Sequence, residues 1–186
     1  REGEVSPVFV YTNCPTAELF INGKSYGKQS KNNSSLKNRY RLMWMDTKYE
    51  PGEVKIVAYD KNGKAVAEKV VRTAGKPHHI ELVSNRNELT ADGKDLAYVT
   101  VKVVDKDGNL CPADNRQINF SVKGTGKYRA AANGDPTNLE QFHLPKMHAF
   151  NGMLTAILQA GETAGEIVFT AKANGVKAGN IRIQTK

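Results

Sequence analysis

The side chains of this 186-residue chain that could do acid–base, metal or nucleophilic chemistry are 19 carboxylates, four histidines and two cysteines. Hydrolysis by paired carboxylates needs two of them set about 5–10 Å apart across a cleft. The Asp and Glu residues here sit mostly in turns and at strand edges, and no pair stands out. No serine occupies a Gly-x-Ser-x-Gly elbow, and no glycine-rich loop could cradle phosphate. Cys14 and Cys111 have no neighbouring histidine and fall in different halves, so both read as small hydrophobes or free thiols. His78, His79, His143 and His148 lack metal-ligand spacing with supporting carboxylates. Asp105-Lys-Asp107-Gly-Asn109 begins like a calcium loop, but its twelfth position is Arg116, which cannot supply the closing carboxylate. Asp60-Lys-Asn62-Gly63 has the same form, so both read as hairpin turns. No catalytic residue, metal site or cofactor is assigned.

Binding chemistry is better represented. Trp44 is the single tryptophan, with Tyr40 and Tyr49 nearby, and an aromatic face can stack on a pyranose ring. The competing reading makes Trp44 a core anchor, because Leu42 shares its parity and Met43 and Met45 flank it. The segment Ala131–Gly152 is the other candidate. Asn133-Gly134-Asp135-Pro136 opens a long irregular stretch containing Leu139, Phe142, Leu144 and Met147, and Phe150-Asn151-Gly152 closes it. A loop of that length in a small domain is usually functional or docked. Its apolar residues suggest either an Ω-loop packed on its own module or a surface facing a partner. Asn133, Gly134, Asp135, Phe142, Phe150 and Asn151 are therefore the candidate cleft or docking residues.

The net charge of +8 is unevenly spread. Residues 1–76 hold 14 Lys/Arg against 8 Asp/Glu, and the remainder 13 against 11. Six cations between Lys24 and Arg41 meet no acidic residue. That segment is Asn/Ser-rich, which is loop chemistry, and it lacks the recognition fold and interleaved aromatics of a nucleic-acid site. It reads as a solvated loop or a face for an acidic neighbour, so no nucleic-acid partner is expected. No apolar run approaches the length of a bilayer-spanning helix. The chain opens on Arg1 and reads as a fragment of a larger protein.

The elements that must position these residues are strands. Ala97, Val99, Val101 and Val103 alternate with polar or outward residues at period two, as do Ile118/Phe120/Val122, Val54/Ile56/Ala58 and Ile167/Phe169/Ala171. Asn-Gly and Asp-Gly turns punctuate the chain at short intervals, and no helical stripe appears. The expected fold is all-β, with two tandem immunoglobulin-like sandwiches. A repeat supports the pairing: Gly52-Glu…Asn62-Gly63 is echoed by Gly165-Glu…Asn174-Gly175, each followed by a partner strand. Thr73-Ala-Gly-Lys-Pro77 sets the expected boundary, giving modules 1–76 and 77–186 with a short, fixed joint.

These segments also carry a family resemblance. Tyr11-Thr-Asn-Cys-Pro-Thr-Ala-Glu-Leu-Phe-Ile-Asn-Gly-Lys-Ser-Tyr-Gly27, Met43-Trp44, Tyr49-Glu-Pro-Gly-Glu-Val-Lys-Ile-Val-Ala-Tyr59 and Val71–Pro77 resemble the immunoglobulin-like module that follows the catalytic barrel in bacterial family 2 glycoside hydrolases of the β-galactosidase type. Leu89-Thr-Ala-Asp-Gly-Lys-Asp-Leu96, Val99–Gly108, Ala113-Asp-Asn115, Asn133-Gly-Asp-Pro136 and Ala149-Phe-Asn-Gly152 resemble the C-terminal domain of the same enzymes. One departure is Lys127-Tyr-Arg-Ala-Ala131, where relatives carry a smaller, glycine-containing run. The resemblance implies a non-catalytic accessory region of a retaining β-glycosidase whose catalytic glutamates lie in an upstream barrel. A barrel takes about 250 residues and does not fit here. Upstream catalytic domains become the implied partner, with a homo-oligomer formed through the parent and a periplasmic, cell-surface or secreted location. The alternatives are a carbohydrate-binding module and a surface-adhesin repeat, since invasin-type modules share the Leu89–Gly93 pattern.

Overall fold

In the computed structural model, which describes residues 2–186, every regular element is a β-strand. Contacts divide the chain into two compact units, Arg1–Thr73 and Ala74–Lys186.

The first unit has six strands: β1 (Val8–Tyr11), β2 (Thr16–Ile21), β3 (Lys24–Ser30), β4 (Arg41–Trp44), β5 (Glu53–Tyr59) and β6 (Ala65–Arg72). β1 and β4 form a two-stranded sheet, and the other four form a sheet in the order β3-β2-β5-β6. Alternation decides what lies between them. Ala17, Leu19 and Ile21 of β2 meet Leu42 and Trp44 of β4, all nearly inaccessible, with Val8, Val10, Val54 and Ile56 packed around them. The two-stranded sheet is narrower than its partner, so β6 keeps Val66 and Val71 in solvent.

The second unit has nine strands: β7 (His79–Ser84), β8 (Glu88–Leu89), β9 (Leu96–Val104), β10 (Gln117–Gly124), β11 (Gly126–Ala132), β12 (Lys146–His148), β13 (Met153–Ala160), β14 (Gly165–Lys172) and β15 (Gly179–Thr185). They make sheets β12-β10-β14-β15-β8 and β11-β13-β9-β7, antiparallel except for the short parallel β15–β8 pair. Ala97, Val99, Val101 and Val103 point from β9 into a core that also takes Ile118, Ile167, Phe169 and Leu158. Phe120 stacks on Phe169 and on Tyr128 at 5.7 and 5.6 Å between ring centroids. Burying each such side chain contributes about 1.5–3 kcal/mol before chain entropy is counted.

The repeated hairpins have equivalent geometry. β5–β6 and β14–β15 are antiparallel pairs, each led by a glycine with positive φ (Gly52, Gly165) and turned through another (Gly63, Gly175). The two Asp-led motifs share a turn as well. Asp60 Oδ1 accepts the N–H groups of Asn62 and Lys64, and Asp105 Oδ1 accepts those of Asp107 and Asn109. In both, a left-handed glycine (Gly63, Gly108) completes the turn.

Asp105 does more than turn a hairpin. Its Oδ2 accepts the Gly75 N–H at 2.8 Å and the Asn109 side-chain amide at 3.0 Å, and the residue is only 2% exposed. Ala74 packs on the second core, so the Ala74–Lys76 segment that sequence assigned to the first module is fastened to the second unit. The Gly75 N–H and then the Asn109 amide hold the Asp105 carboxyl well below the usual range, more than offsetting its burial. A carboxyl lowered on folding stabilises above its unfolded value near 3.9, and that contribution is lost as pH falls through the lower folded value. Asp105→Asn is therefore expected to lower Tm at pH 7 and to flatten the acid limb of the Tm–pH curve below about pH 4. An unchanged acid limb would show that Asp105 is not the titrating fastener.

Candidate functional site

The long segment between β11 and β13 folds into a loop held by its own polar side chains. Asn133 Nδ2 donates to the His148 carbonyl at 3.0 Å, and its Oδ1 accepts the Asp135 N–H at 3.1 Å. Asp135 Oδ1 accepts the Thr137 N–H and hydroxyl, which lowers its pKa. Asn138 Oδ1 takes the Glu140 N–H. Glu140 then reaches across the loop to His148, accepting the backbone N–H and facing the ring Nδ1, both at 3.0 Å. Gly134 adopts φ 78°, a left-handed conformation that the Asn-Gly pair supplies without strain.

Tyr128 pegs the loop to the sandwich. Its hydroxyl lies 2.7 Å from the Leu144 carbonyl and 3.1 Å from that of Phe142, while the Ala131 N–H donates to Phe142 O at 2.9 Å. Burial pushes the Tyr128 phenol up to about 12, so it remains a donor throughout the ordinary pH range. Sequence reasoning passed over Tyr128 as a site residue. Its only signal was the bulky Lys127–Ala131 run where relatives carry smaller residues.

Met147 is wholly buried beneath this loop, yet Leu139 is 96% exposed and Phe142 55%. The arrangement is thus an Ω-loop on its own module that still presents two apolar side chains to solvent. Phe150 is half-buried and pairs with Met153 across the Asn151-Gly152 turn, whose φ values of 52° and 76° give a tight hairpin. That turn is docked rather than free. The Gly152 N–H donates to Asp114 O at 2.8 Å and the Asn151 N–H to Asn115 Oδ1 at 3.1 Å. The Arg116 guanidinium straps the same end, bonding the Asp114 carboxylate at 2.6–2.9 Å and the Asn174 carbonyl at 2.6 Å. Asn133, Gly134 and Asp135 therefore belong with Glu140 and His148, whereas Phe150 and Asn151 belong with Asp114–Arg116.

The aromatic trio of the first unit is not brought together. Trp44 is 5% exposed, and its indole N–H points at the carbonyls of Tyr26 and Gly27, both at 3.2 Å. Its ring faces are packed in the core and offer no stacking surface. Tyr49 is half-buried, with its hydroxyl 3.3 Å from Thr73 Oγ1, beside a pocket of about 230 Å³ lined by Glu4, Val5, Ser6 and itself. Only Tyr40, 65% exposed, stands free, with the Arg39 guanidinium 5.9 Å from its ring centre.

The titratable groups have the electrostatics of structure. The carboxyls of Glu18, Asp92, Asp95, Asp105, Asp114 and Asp135 are all lowered by donors around them. A glycosidic acid requires the opposite shift. Among the described residues, no three His, Cys, Asp or Glu side chains converge on a common point.

Residues 80–182 match the model of glycoside hydrolase family 2 C-terminal domain 5. The chain belongs to glycoside hydrolase family 2. Residues 3–67 of this family 2 chain match a second model, a domain of unknown function, DUF4982. The β-galactosidase BoGH2A of Bacteroides ovatus is 40% identical over 95% of the chain and 20% of its own length. A Thermoanaerobacter pseudethanolicus β-galactosidase is 28% identical over 96% of the chain and 24% of its own length. The chain thus spans about a fifth to a quarter of the length of these two relatives. Among solved structures, a family 2 member from Bacteroides cellulosilyticus superposes with a TM-score of 0.88 at 34% identity, covering 100% of this chain and 23% of that one. A β-glycosidase from Bacteroides vulgatus gives 0.90 at 29% identity, covering 98% and 23%. The chain is a C-terminal, accessory part within this family, as the resemblance led us to expect.

Proposed function

We propose that the chain serves a longer, exported β-glycosidase of the β-galactosidase type, and that the Asn133–His148 loop docks on the catalytic part at the rim of its cleft. The observation that carries this reading is the loop's contrast of rigidity and exposure. Side-chain hydrogen bonds at Asn133, Asp135, Asn138 and Glu140 order a loop whose Leu139 and Phe142 remain in water. A pre-ordered loop loses little entropy on association, so its apolar contacts convert efficiently into affinity. The names of two relatives, both β-galactosidases, with the chain's small share of their length, support β-galactoside hydrolysis by the whole protein. The carbohydrate-binding alternative through Trp44 and Tyr49 finds no support in their packing.

In the full-length enzyme, Leu139→Asp with Phe142→Ser is expected to reduce kcat/KM by roughly ten- to a hundredfold, the cost of a misplaced cleft wall. The same pair is expected to leave the isolated chain's Tm nearly unchanged, because both side chains are exposed. Unaltered kcat/KM, thermal inactivation and oligomeric state would overturn the docking role. Export is tested separately, by following the full-length protein with a periplasmic marker during cell fractionation.

A further inference from the structure

The outer face of the β1–β4 sheet is a second surface, independent of that loop and confined to the first unit. Val8, Val10, Leu42 and Trp44 face the core, so alternation turns Phe9, Tyr11, Arg41 and Met43 outward. Phe9 is 44% exposed and Tyr11 70%. Arg41 lies over the Phe9 ring at 5.7 Å, approaches the Tyr11 hydroxyl at 3.4 Å and donates from Nε to the Lys37 carbonyl at 3.1 Å. Its guanidinium is therefore held in place, with most of its five N–H groups uncommitted. Among the described residues it has no carboxylate partner, and neither do Lys24, Lys28, Lys31, Lys37 or Arg39.

Arg41 also lines a small cavity of about 50 Å³ with Gln29, Ser30, Asn38, Leu42 and Met43. Asn38 Oδ1 is buried there and accepts no hydrogen bond from the protein, the one such side-chain atom among the described residues. A buried acceptor left in that state costs about 1–3 kcal/mol, and because it is closed to solvent a ligand on the surface does not reach it.

We infer that this surface binds a carboxylate-bearing glycan, a uronate ring lying on Tyr11 with its carboxylate on Arg41. Each part of the ligand answers a feature. The flat, exposed aromatic takes the apolar face of a sugar ring. The fixed guanidinium fork matches a planar carboxylate. Steering by the unpaired cations of residues 24–41 favours an anion over a neutral glycan.

Calorimetric titration of the chain with oligogalacturonate, its methyl ester and poly-glutamate tests this. Heat is expected with oligogalacturonate, and binding at least about tenfold weaker with the other two, since each lacks either the charge or the ring. Tyr11→Ala and Arg41→Lys are each expected to weaken oligogalacturonate binding about tenfold, the second because lysine keeps the charge and loses the fork. Tyr11→Ala removes a mostly exposed side chain and folds normally, so its result does not depend on stability. No heat at millimolar oligogalacturonate, equal binding of poly-glutamate, or an unaffected Tyr11→Ala would each overturn the inference. None of these outcomes bears on loop docking, which the second unit carries.

Discussion

Trp44→Ala is expected to destabilise the first unit by about 3–5 kcal/mol, the usual cost of emptying a buried tryptophan site. Trp44 closes a core that has, among the described residues, only Ala17, Leu19, Ile21, Leu42 and Ala58 as its other buried members. Two strands alone form the covering sheet, so no neighbouring strand can shift to fill the space. Truncation also strands the Tyr26 and Gly27 carbonyls that the indole N–H serves. A unit of this size has little stability to spare, so the substitution removes most of it. Denaturant unfolding followed by far-ultraviolet circular dichroism should show the first unit melting early while the second is unmoved. Tyr40→Ala, at a largely exposed site, should stay within about 0.5 kcal/mol of the parent. A loss below about 1 kcal/mol for Trp44→Ala would return the ring to the surface and reopen its sugar-stacking reading.

Gly124→Ala is expected to cost about 3 kcal/mol or more in the second unit, by combining backbone strain with a collision. The residue ends β10 at φ 91°, where an L side chain is disfavoured. A Cβ there would stand 1.8 Å from the Glu166 carbonyl oxygen, which is backbone and also accepts the Thr125 N–H at 3.0 Å. Relieving the clash means separating β10 from β14 at the turn into β11. Gly108→Ala is the matched control. Its φ is 83°, but nothing lies within 4 Å of its added Cβ, so it carries the strain alone. Calorimetric Tm values should therefore order as parent, then Gly108→Ala, then Gly124→Ala well below. Equal losses would show that conformational strain, and not the close approach, makes Gly124 necessary.

Much of the fold was legible in the residues. The alternation in Ala97–Val103 was visible because a strand's side-chain period is two whatever the strand pairs with. Asp60 and Asp105 announced hairpins because an Asp side chain bonds the N–H groups two and four residues on, an interaction contained within five residues. The repeated Gly-Glu…Asn-Gly hairpin was legible for the same reason. The site was less so. Sequence marked the Asn133–Gly152 segment but not which of its residues face out, and it grouped Asn151 with Asn133 although each bonds a different part of the unit. Tyr128 and Glu140 were missed because their partners, Leu144 and His148, lie 16 and 8 residues away in sequence.

The sequence by itself determined that this chain folds as alternating strands, where its turns fall and which family it resembles. Periodicity, turn chemistry and motif order act over a few residues and survive without a structure. Only the tertiary structure decided that Trp44 is sealed in a core while Tyr11 lies open, that Asp105 fastens Gly75 from 30 residues away, and that Leu139 projects from an otherwise closed loop. Burial and partner choice depend on which distant strands meet, and spacing along the chain does not specify those meetings.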